Sequence, residues 1–338
     1  MVIGMLVTCA GILVSDIIAA GLPKISEPGQ LTFAPLGIRL CIGGHAANLS
    51  IDLTKLGLAG REISLVGAVG DDLFGDFIEG ELEKYGIITH LERVREAATS
   101  VDLILVVKGE DRRYHADVGA NYWLNTDHVL ATLEEEMPLI FYVGATGLLG
   151  EFDERLAEVL QSAKRLGCIT FVDPVVPYKH GWNTLLSALG WVDIFHCNSS
   201  EALAMTGKKE LGEALKVLSE GAKLTIVTTG EHGLLAKVKK QEIEMPAFKV
   251  PTVDPSGAGD AFCAGIICGL ARMLPPRGFD IDRMSTEDLL RILLEGEASG
   301  AVCVTDIGTT TAVTRENVDR LLKEQGSTIM EHTLVRSK

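Results

Sequence analysis

The residues Val253-Asp254-Pro255-Ser256-Gly257-Ala258-Gly259-Asp260 run straight into the apolar stretch from Ala261 to Leu274. Two glycines flanking an alanine let the backbone curl so that successive N–H groups point at one spot. At a helix N-terminus such a curl is a site for a phosphate or another developing anion. Asp260 falls in the first helical turn, where the dipole favours an ionised carboxylate. The stretch is not GxGxxG, because Phe262 stands at the third glycine. It is not GxSxG either, because Asp254-Pro255 precedes Ser256, and the chain has no Walker A pattern. On composition alone, a tight glycine turn with an aspartate cap into a core helix explains it equally well.

A second cluster, Gly43-Gly44-His45-Ala46-Ala47-Asn48, opens a helix with Leu49, Leu53 and Leu56 at i, i+4 and i+7. Paired glycines permit close backbone approach to a ligand, and Asn48 can both donate and accept hydrogen bonds. His45 reads as solvent-facing, and no His/Cys spacing suits zinc. A third stretch, Gly67 to Gly75, joins a strand to a helix, with Asp71 or Asp72 as N-cap. Polar or glycine residues also follow strand-like runs one after another: Asp173-Pro174, Asn198-Ser199-Ser200-Glu201 and Thr228-Thr229-Gly230. Each alone is an ordinary turn former. In an open α/β sheet, however, ligands bind beyond the carboxyl ends of the strands.

The elements that must position these groups alternate along the chain. Leu139 to Val143, Cys168 to Val172, Val192 to Cys197 and Leu224 to Thr228 are short, nearly continuous apolar runs. Strands of a parallel sheet covered on both faces have that pattern. Between them lie amphipathic stretches such as Phe74-Phe77-Ile78-Leu82-Tyr85 and Phe152-Leu156-Val159-Leu160-Ala163-Leu166, each on one helical face. The alternation predicts βαβ units in an α/β layered fold. Two segments break the rhythm. Ile17 to Cys41 carries three prolines, and Ser100 to Val118 reads as a hairpin turning at Lys108-Gly109-Glu110-Asp111. Arg112-Arg113 beside Glu110-Asp111 reads as a solvated part of that turn.

The chain has 338 residues, 47% hydrophobic, with a formal charge of −15. That length and apolar content suit a large core, and the acidic balance argues against nucleic-acid binding. The apolar start from Met1 to Val14 lacks the charged n-region of a signal peptide. The run from Ala261 to Leu274 is shorter than the ~20 residues a membrane span needs. Seven cysteines without a CxxC pair fit reduced thiols, so a cytoplasmic protein is expected.

In order along the chain, these residues resemble the ribokinase (PfkB) family of carbohydrate and nucleoside kinases over nearly its whole length. Gly43-Gly44…Asn48 is similar to the family's first signature and Asp254…Gly257-Ala258-Gly259-Asp260 to its second. Gly70-Asp71-Asp72…Gly75, Gly119-Ala120-Asn121, Asn198-Ser199-Ser200-Glu201 and Thr229-Gly230-Glu231…Gly233 match in sequence between them. The resemblance implies an α/β fold, a ribokinase-like three-layer α/β/α sandwich that makes one catalytic domain of residues 1–338. A small β-sheet lid would come from the two insertions, approximately 17–41 and 100–118.

The resemblance further implies ATP-dependent phosphoryl transfer to a hydroxyl of a small sugar or polyol. Asp260 would be the base, with the N–H groups of Gly257, Ala258, Gly259 and Asp260 as the anion hole. Asp16, Gly43, Gly44 and Asn48 would hold the acceptor. Asn198 and Glu201 would serve the nucleotide phosphates, Glu201 acting through water on Mg2+. Thr228, Gly230 and Gly233 would line the nucleotide side. Asp254, Ser256 and Gly308 resemble the family's monovalent-cation site, which leaves such an ion open.

Two alternatives stand beside this reading, and a phosphorylated sugar stays open as the acceptor. One is a nucleoside kinase of the same family, for which Phe33, Tyr114, Tyr122 and Trp123 offer aromatic surface. The other is a non-catalytic ligand-binding protein on the same fold. The expected partner is a small molecule rather than a nucleic acid or membrane, and an exposed lid edge leaves room for a homodimer.

Overall fold

A computed structural model describes residues 4–110, 112–273 and 278–337. The first residues of the apolar start, Asp111 of the hairpin turn and Leu274 at the helix end lie outside them. The first strands are β1 (Val7–Gly11), β2 (Val14–Leu22), β3 (Ile38–Gly43), β4 (Ile63–Gly70) and β5 (Ile88–Val94). Next come β6 (Val101–Val107), β7 (Arg113–Asp117), β8 (Ile140–Thr146), β9 (Ile169–Pro174), β10 (Ile194–Asn198) and β11 (Leu224–Thr228). The last are β12 (Leu234–Val238), β13 (Gln241–Met245) and β14 (Leu334–Ser337).

Ten strands form one sheet in the order β14-β13-β12-β11-β10-β9-β8-β1-β4-β5. From β11 to β5 every pairing is parallel, whereas β12, β13 and β14 extend the sheet antiparallel. Successive residues of the central strands enter two different cores. Tyr142, Phe171 and Ile194 pack with the helices His45–Lys55, Ala258–Met273 and Thr286–Cys303. Phe141, Val143, Val172 and Phe195 pack with Thr126–Glu136, Leu156–Arg165 and Leu211–Leu218 on the other face. Side chains alternate across a strand, so a sheet buried on both faces needs apolar residues at every position. That is why these strands read as continuous hydrophobic runs. No helix among the described residues is long and apolar enough to cross a membrane.

The remaining strands form a second sheet in the order β3-β2-β6-β7. Only Ile12 and Leu13 separate β1 from β2, so the smaller sheet grows directly out of the larger one. Strand order in the main sheet reverses beside β1: the chain fills β4 and β5 on one side, then β8 to β11 on the other. Such a switch point opens a crevice at the carboxyl ends of its strands. Here that crevice lies above β1 and β8, where Gly11 pairs with Gly144.

Candidate active site

The helix Ala258–Met273 is buried from Asp260 through Ala271, so its first turn is fixed in the core. Asp260 is 6% exposed and its Oδ2 accepts a 2.8 Å bond from Asn48 Nδ2. Asn48 Oδ1 in turn accepts from Thr309 Oγ1 at 2.8 Å. The two glycine clusters, more than two hundred residues apart, therefore meet through one amide. Gly257 has φ +77°, and a Cβ there would run into the Thr309 carbonyl oxygen and lie 2.8 Å from Thr309 Cα. By contrast, a Cβ on Gly259 would meet only His196 Cε1, at 3.5 Å. The Ala258 N–H points to Pro255 O at 3.4 Å. The N–H groups of Gly259 and Asp260 belong to the first turn, which has no intrahelical acceptors.

Asp16 on β2 faces this carboxylate from the smaller sheet. A Cβ on Gly43 would fall 2.6 Å from Asp16 Cγ, so the glycine leaves room for the acid. Asp16 pairs in register with Asp102 of β6, which puts both side chains on one face. Burial, then Asp102, then Asp260 and Asp254 push the Asp16 carboxyl up to about 8. Burial also raises Asp102. Asp260 likewise sits above its ordinary value. Burial dominates and the Asp173 charge adds to it, against His45, the Asn48 hydrogen bond and His196. Burial thus works against the ionised form that a helix N-terminus favours.

The strand ends carry a polar track away from Asp260. Asp173, at the end of β9, binds His196 Nδ1 at 2.9 Å and accepts from the Tyr142 hydroxyl at 3.2 Å. Burial works against ionisation of Asp173, but the charge and hydrogen bond of His196 hold it below the usual carboxylate range. His196 Nε2 reaches Thr228 Oγ1 at 3.2 Å, on the end of β11. Asn198 and Glu201 cap their helix reciprocally. Asn198 N donates to Glu201 Oε2 at 2.9 Å and Glu201 N to Asn198 Oδ1 at 3.0 Å. Burial raises the Glu201 carboxyl, which is 8% exposed. Gly230 and Gly233 close a tight turn, with Thr229 N and Oγ1 both donating to Gly233 O.

Two sequence expectations fail here. His45 is half-buried rather than turned out to solvent: a ring nitrogen of His45 and one oxygen each of Asp173 and Asp260 lie within 4.8 Å of one another. Arg112 is not a solvated turn residue either. Its side chain is 8% exposed and reaches across from the small sheet to Asp254 Oδ1 at 3.0 Å and Ser256 Oγ at 2.8 Å. Tyr114 joins it, with its hydroxyl 2.9 Å from Ser256 Oγ.

The family model described as pfkB family carbohydrate kinase matches residues 6–316. The chain belongs to that family. As a pfkB-family carbohydrate kinase it is a phosphotransferase with an alcohol group as acceptor. Among its curated relatives is probable fructokinase-4 of Arabidopsis thaliana, 26% identical over 294 residues, covering 83% of this chain and 87% of the relative. Solved structures share the fold. A fructokinase with bound ATP from Xylella fastidiosa superposes with TM-score 0.79 at 24% identity, covering 96% of this chain and 99% of the other. A putative ribokinase II in complex with ATP and Mg2+ from E. coli does so with TM-score 0.75 at 22% identity, covering 94% and 99%. The α/β ribokinase-like fold expected from the sequence is the one observed.

Within this kinase, several site-lining residues escape a motif reading. Thr309, Asp102, His196 and Arg112 lie outside every motif, yet each touches or faces a motif residue. The run Thr309-Thr310-Thr311 after Gly308 is the one local signal that could have flagged the first of them.

Proposed function

We propose that this kinase transfers the γ-phosphoryl group of ATP to a hydroxyl of a neutral, unphosphorylated sugar or polyol. The observation that carries the proposal is the Asp260 carboxylate, held by Asn48 at 2.8 Å and facing Asp16 and Asp102 across the crevice. In this reading Asp260 accepts the acceptor's proton as its oxygen bonds to phosphorus and the bond to the leaving ADP oxygen breaks. The transition state is loose, so positioning and charge stabilisation dominate and a weak base suffices. The N–H groups of Gly257, Gly259 and Asp260 take the developing anion. Ala258 belongs to the curl, though its own N–H is turned to Pro255. Gly43 and Gly44 give the acceptor backbone clearance, while Asp16 and Asn48 hold its hydroxyls.

Two acids in the acceptor pocket favour a neutral ligand over a sugar phosphate. Asp102 Oδ1 is buried without a hydrogen-bond partner among the described residues, and an acceptor hydroxyl would satisfy it. Two of the four aromatic residues that would suit a nucleoside have other engagements, and Phe33 and Trp123 are exposed. Tyr114 is bound to Ser256, and Tyr122 packs edge-on against Tyr178 with centroids 6.2 Å apart.

The nucleotide would lie along Asn198, Glu201, Thr228, Gly230 and Gly233. Glu201 uses Oε2 on its helix cap, which leaves Oε1 for a water of Mg2+. The metal, when bound, would neutralise phosphate charge. A monovalent cation does not fit the Asp254 carboxylate as it stands. Its oxygens already take Ser256 N at 2.8 Å, Gly308 N at 3.0 Å and the Arg112 guanidinium.

The smaller sheet would act as a lid of the single catalytic unit 1–338. Ile38 and Leu40 of β3 are exposed, as is Leu31 in the loop before it, and β3 is an edge strand, which suits a homodimer through the lid. Cysteines that are all free suit the cytoplasm.

A coupled ADP-release assay over pentoses, hexoses, polyols, sugar phosphates and nucleosides, with Asp260→Asn as control, tests the proposal. Turnover on a neutral sugar or polyol that falls about 10²–10⁴-fold in the control is expected. A preference of about tenfold or more for a nucleoside or a sugar phosphate overturns it. Ligand binding without turnover on any acceptor would point instead to a non-catalytic protein.

A further inference from the structure

The first turn of the helix His45–Lys55 presents two polar side chains to one place. His45 and Asn48 stand three residues apart, hence on one helical face. Asn48 bonds Asp260, and the His45 imidazole lies within 4.8 Å of Asp260 and Asp173 together. The surrounding backbone makes room for that ring. A Cβ on Gly144 of β8 would fall 2.6 Å from His45 Cβ and 2.8 Å from Tyr142 Cε1. Other groups in the neighbourhood are Glu201 of the helix after β10, His196 of β10, the Tyr142 hydroxyl of β8 and Cys263 of the helix Ala258–Met273. His196 is already committed to Asp173 and Thr228, and Tyr142 to Asp173. Of the two imidazoles around Asp260, His45 is therefore the one whose ring makes no hydrogen bond among the described residues.

We propose that His45 works as an imidazolium: it balances the Asp260 and Asp173 carboxylates and offers a ring N–H to the anion that forms at the Gly257–Asp260 curl. The inference rests on the phosphotransfer reading above. It adds a titratable positive charge to a site otherwise lined by carboxylates and backbone. Burial alone would discharge the ring. The carboxylates of Asp260, Asp173 and Glu201 outweigh that and hold His45 above the ordinary imidazole value. The imidazolium keeps its proton throughout transfer, because the acceptor's proton goes to Asp260. Without this charge, Asp260 and Asp173 would face each other and an incoming phosphate unscreened, in a buried site where such repulsion is strong.

The test combines a pH–kcat profile with direct titration of the ring. Wild-type kcat should fall on the alkaline side as His45 loses its proton. His45→Lys should recover part of the kcat that a neutral replacement loses and move that limb up by at least about one pH unit, since lysine ordinarily titrates near 10.4. His45→Gln should lose the limb and about 10²-fold in kcat at neutral pH, with acceptor KM changed little. An unchanged alkaline limb in His45→Gln, or wild-type kcat in that variant, overturns the inference.

Should the wild type transfer to no acceptor, the phosphotransfer reading fails first. The ring itself then decides the charge coupling. Followed by NMR, the His45 midpoint should drop by about one unit in Asp260→Asn, and a shift of less than about 0.2 unit overturns the coupling.

Discussion

Gly257→Ala is the most informative single change at the curl proposed to bind the developing anion. Gly257 has φ +77°, a region that costs an L-residue about 1–2 kcal/mol. The new Cβ would strike the Thr309 carbonyl oxygen and lie 2.8 Å from both Cα and Cβ of Thr309. All of these atoms belong to backbone or to a short, stiff side chain, so relief requires the curl or Thr309 to move. Either movement is felt at Asp260, because Thr309 Oγ1 holds Asn48 Oδ1 and Asn48 Nδ2 holds Asp260, each at 2.8 Å. Misplacing one preorganised donor in an oxyanion site costs about 10²–10³ in kcat, and the variant should lose at least that much. Gly259→Ala is the control. Its Cβ meets only His196 Cε1 at 3.5 Å, an ordinary contact, so kcat should stay within about tenfold. Coupled ADP release gives the rates, and a thermal melt establishes that both variants are folded. A folded Gly257→Ala enzyme with kcat within about threefold of wild type would refute the reasoning.

Three further outcomes follow from the same geometry. Arg112→Ala removes a buried partner of Asp254, a loss worth about 2–5 kcal/mol where a charge pair closes a site. Acceptor kcat/KM should fall at least about tenfold while acceptor-independent ATP hydrolysis rises relative to transfer; an unchanged ratio counts against a lid latched by this residue. Because burial holds Asp260 above the ordinary carboxylate value, kcat should decline as pH falls through that raised value, with the proposed base becoming protonated. Asn48→Ala deletes a hydrogen bond that lowers it, so the acid limb should move up in pH; a limb that stays in place contradicts the pairing. Asp16, at about 8 in the folded protein, binds its proton more tightly than an unfolded aspartate near 3.9. Its contribution to stability is present in full at low pH and is lost as pH rises toward about 8, at up to about 1.4 kcal/mol per pH unit. Asp16→Asn should therefore melt higher than wild type at pH 8 without acceptor, and close to it near pH 4. The same variant should bind the acceptor less well. A melting difference that does not depend on pH would show that Asp16 is not the protonated group.

The layers of the fold are readable from sequence because the physics that builds them is local. Phe141, Tyr142 and Val143 serve opposite faces in turn, so burial on both sides makes the run wholly apolar and marks a parallel strand. The antiparallel additions β12 to β14 leave a weaker trace. β13 has intermediate and exposed positions around Ile243, and β14 is exposed throughout, so neither carries a strong apolar signature. Asp260 and Asn48 are visible as parts of glycine-rich motifs, because backbone curls demand particular residues in a row. Their mutual bond is not visible, since it joins positions 212 residues apart. Arg112 shows the same limit from the other side. Beside Glu110 and Asp111 its local context is that of a solvated turn, and only the approach of the smaller sheet to Ser256 gives it a buried partner.

His45 carries the lesson into the chemistry. A histidine after two glycines at a helix start has no local feature that marks it as charged, and exposure is the ordinary expectation. What decides its state is the convergence of acidic groups from three other elements: the end of β9, the helix after β10 and the first turn of Ala258–Met273. Each carboxylate is individually unremarkable at a strand or helix end. Brought together in a buried crevice, they cannot all stay ionised without compensation, and the site resolves this in different ways at different places. Asp173 takes His196 and stays charged, Asp254 takes Arg112 and two backbone N–H groups, and Asp16 retains a proton. Asp260 has an amide and a nearby imidazole but, among the described residues, no direct ion pair with Lys or Arg. It is held above its ordinary value rather than locked in one state, which suits the base role proposed for it, in which it must gain a proton and then lose it.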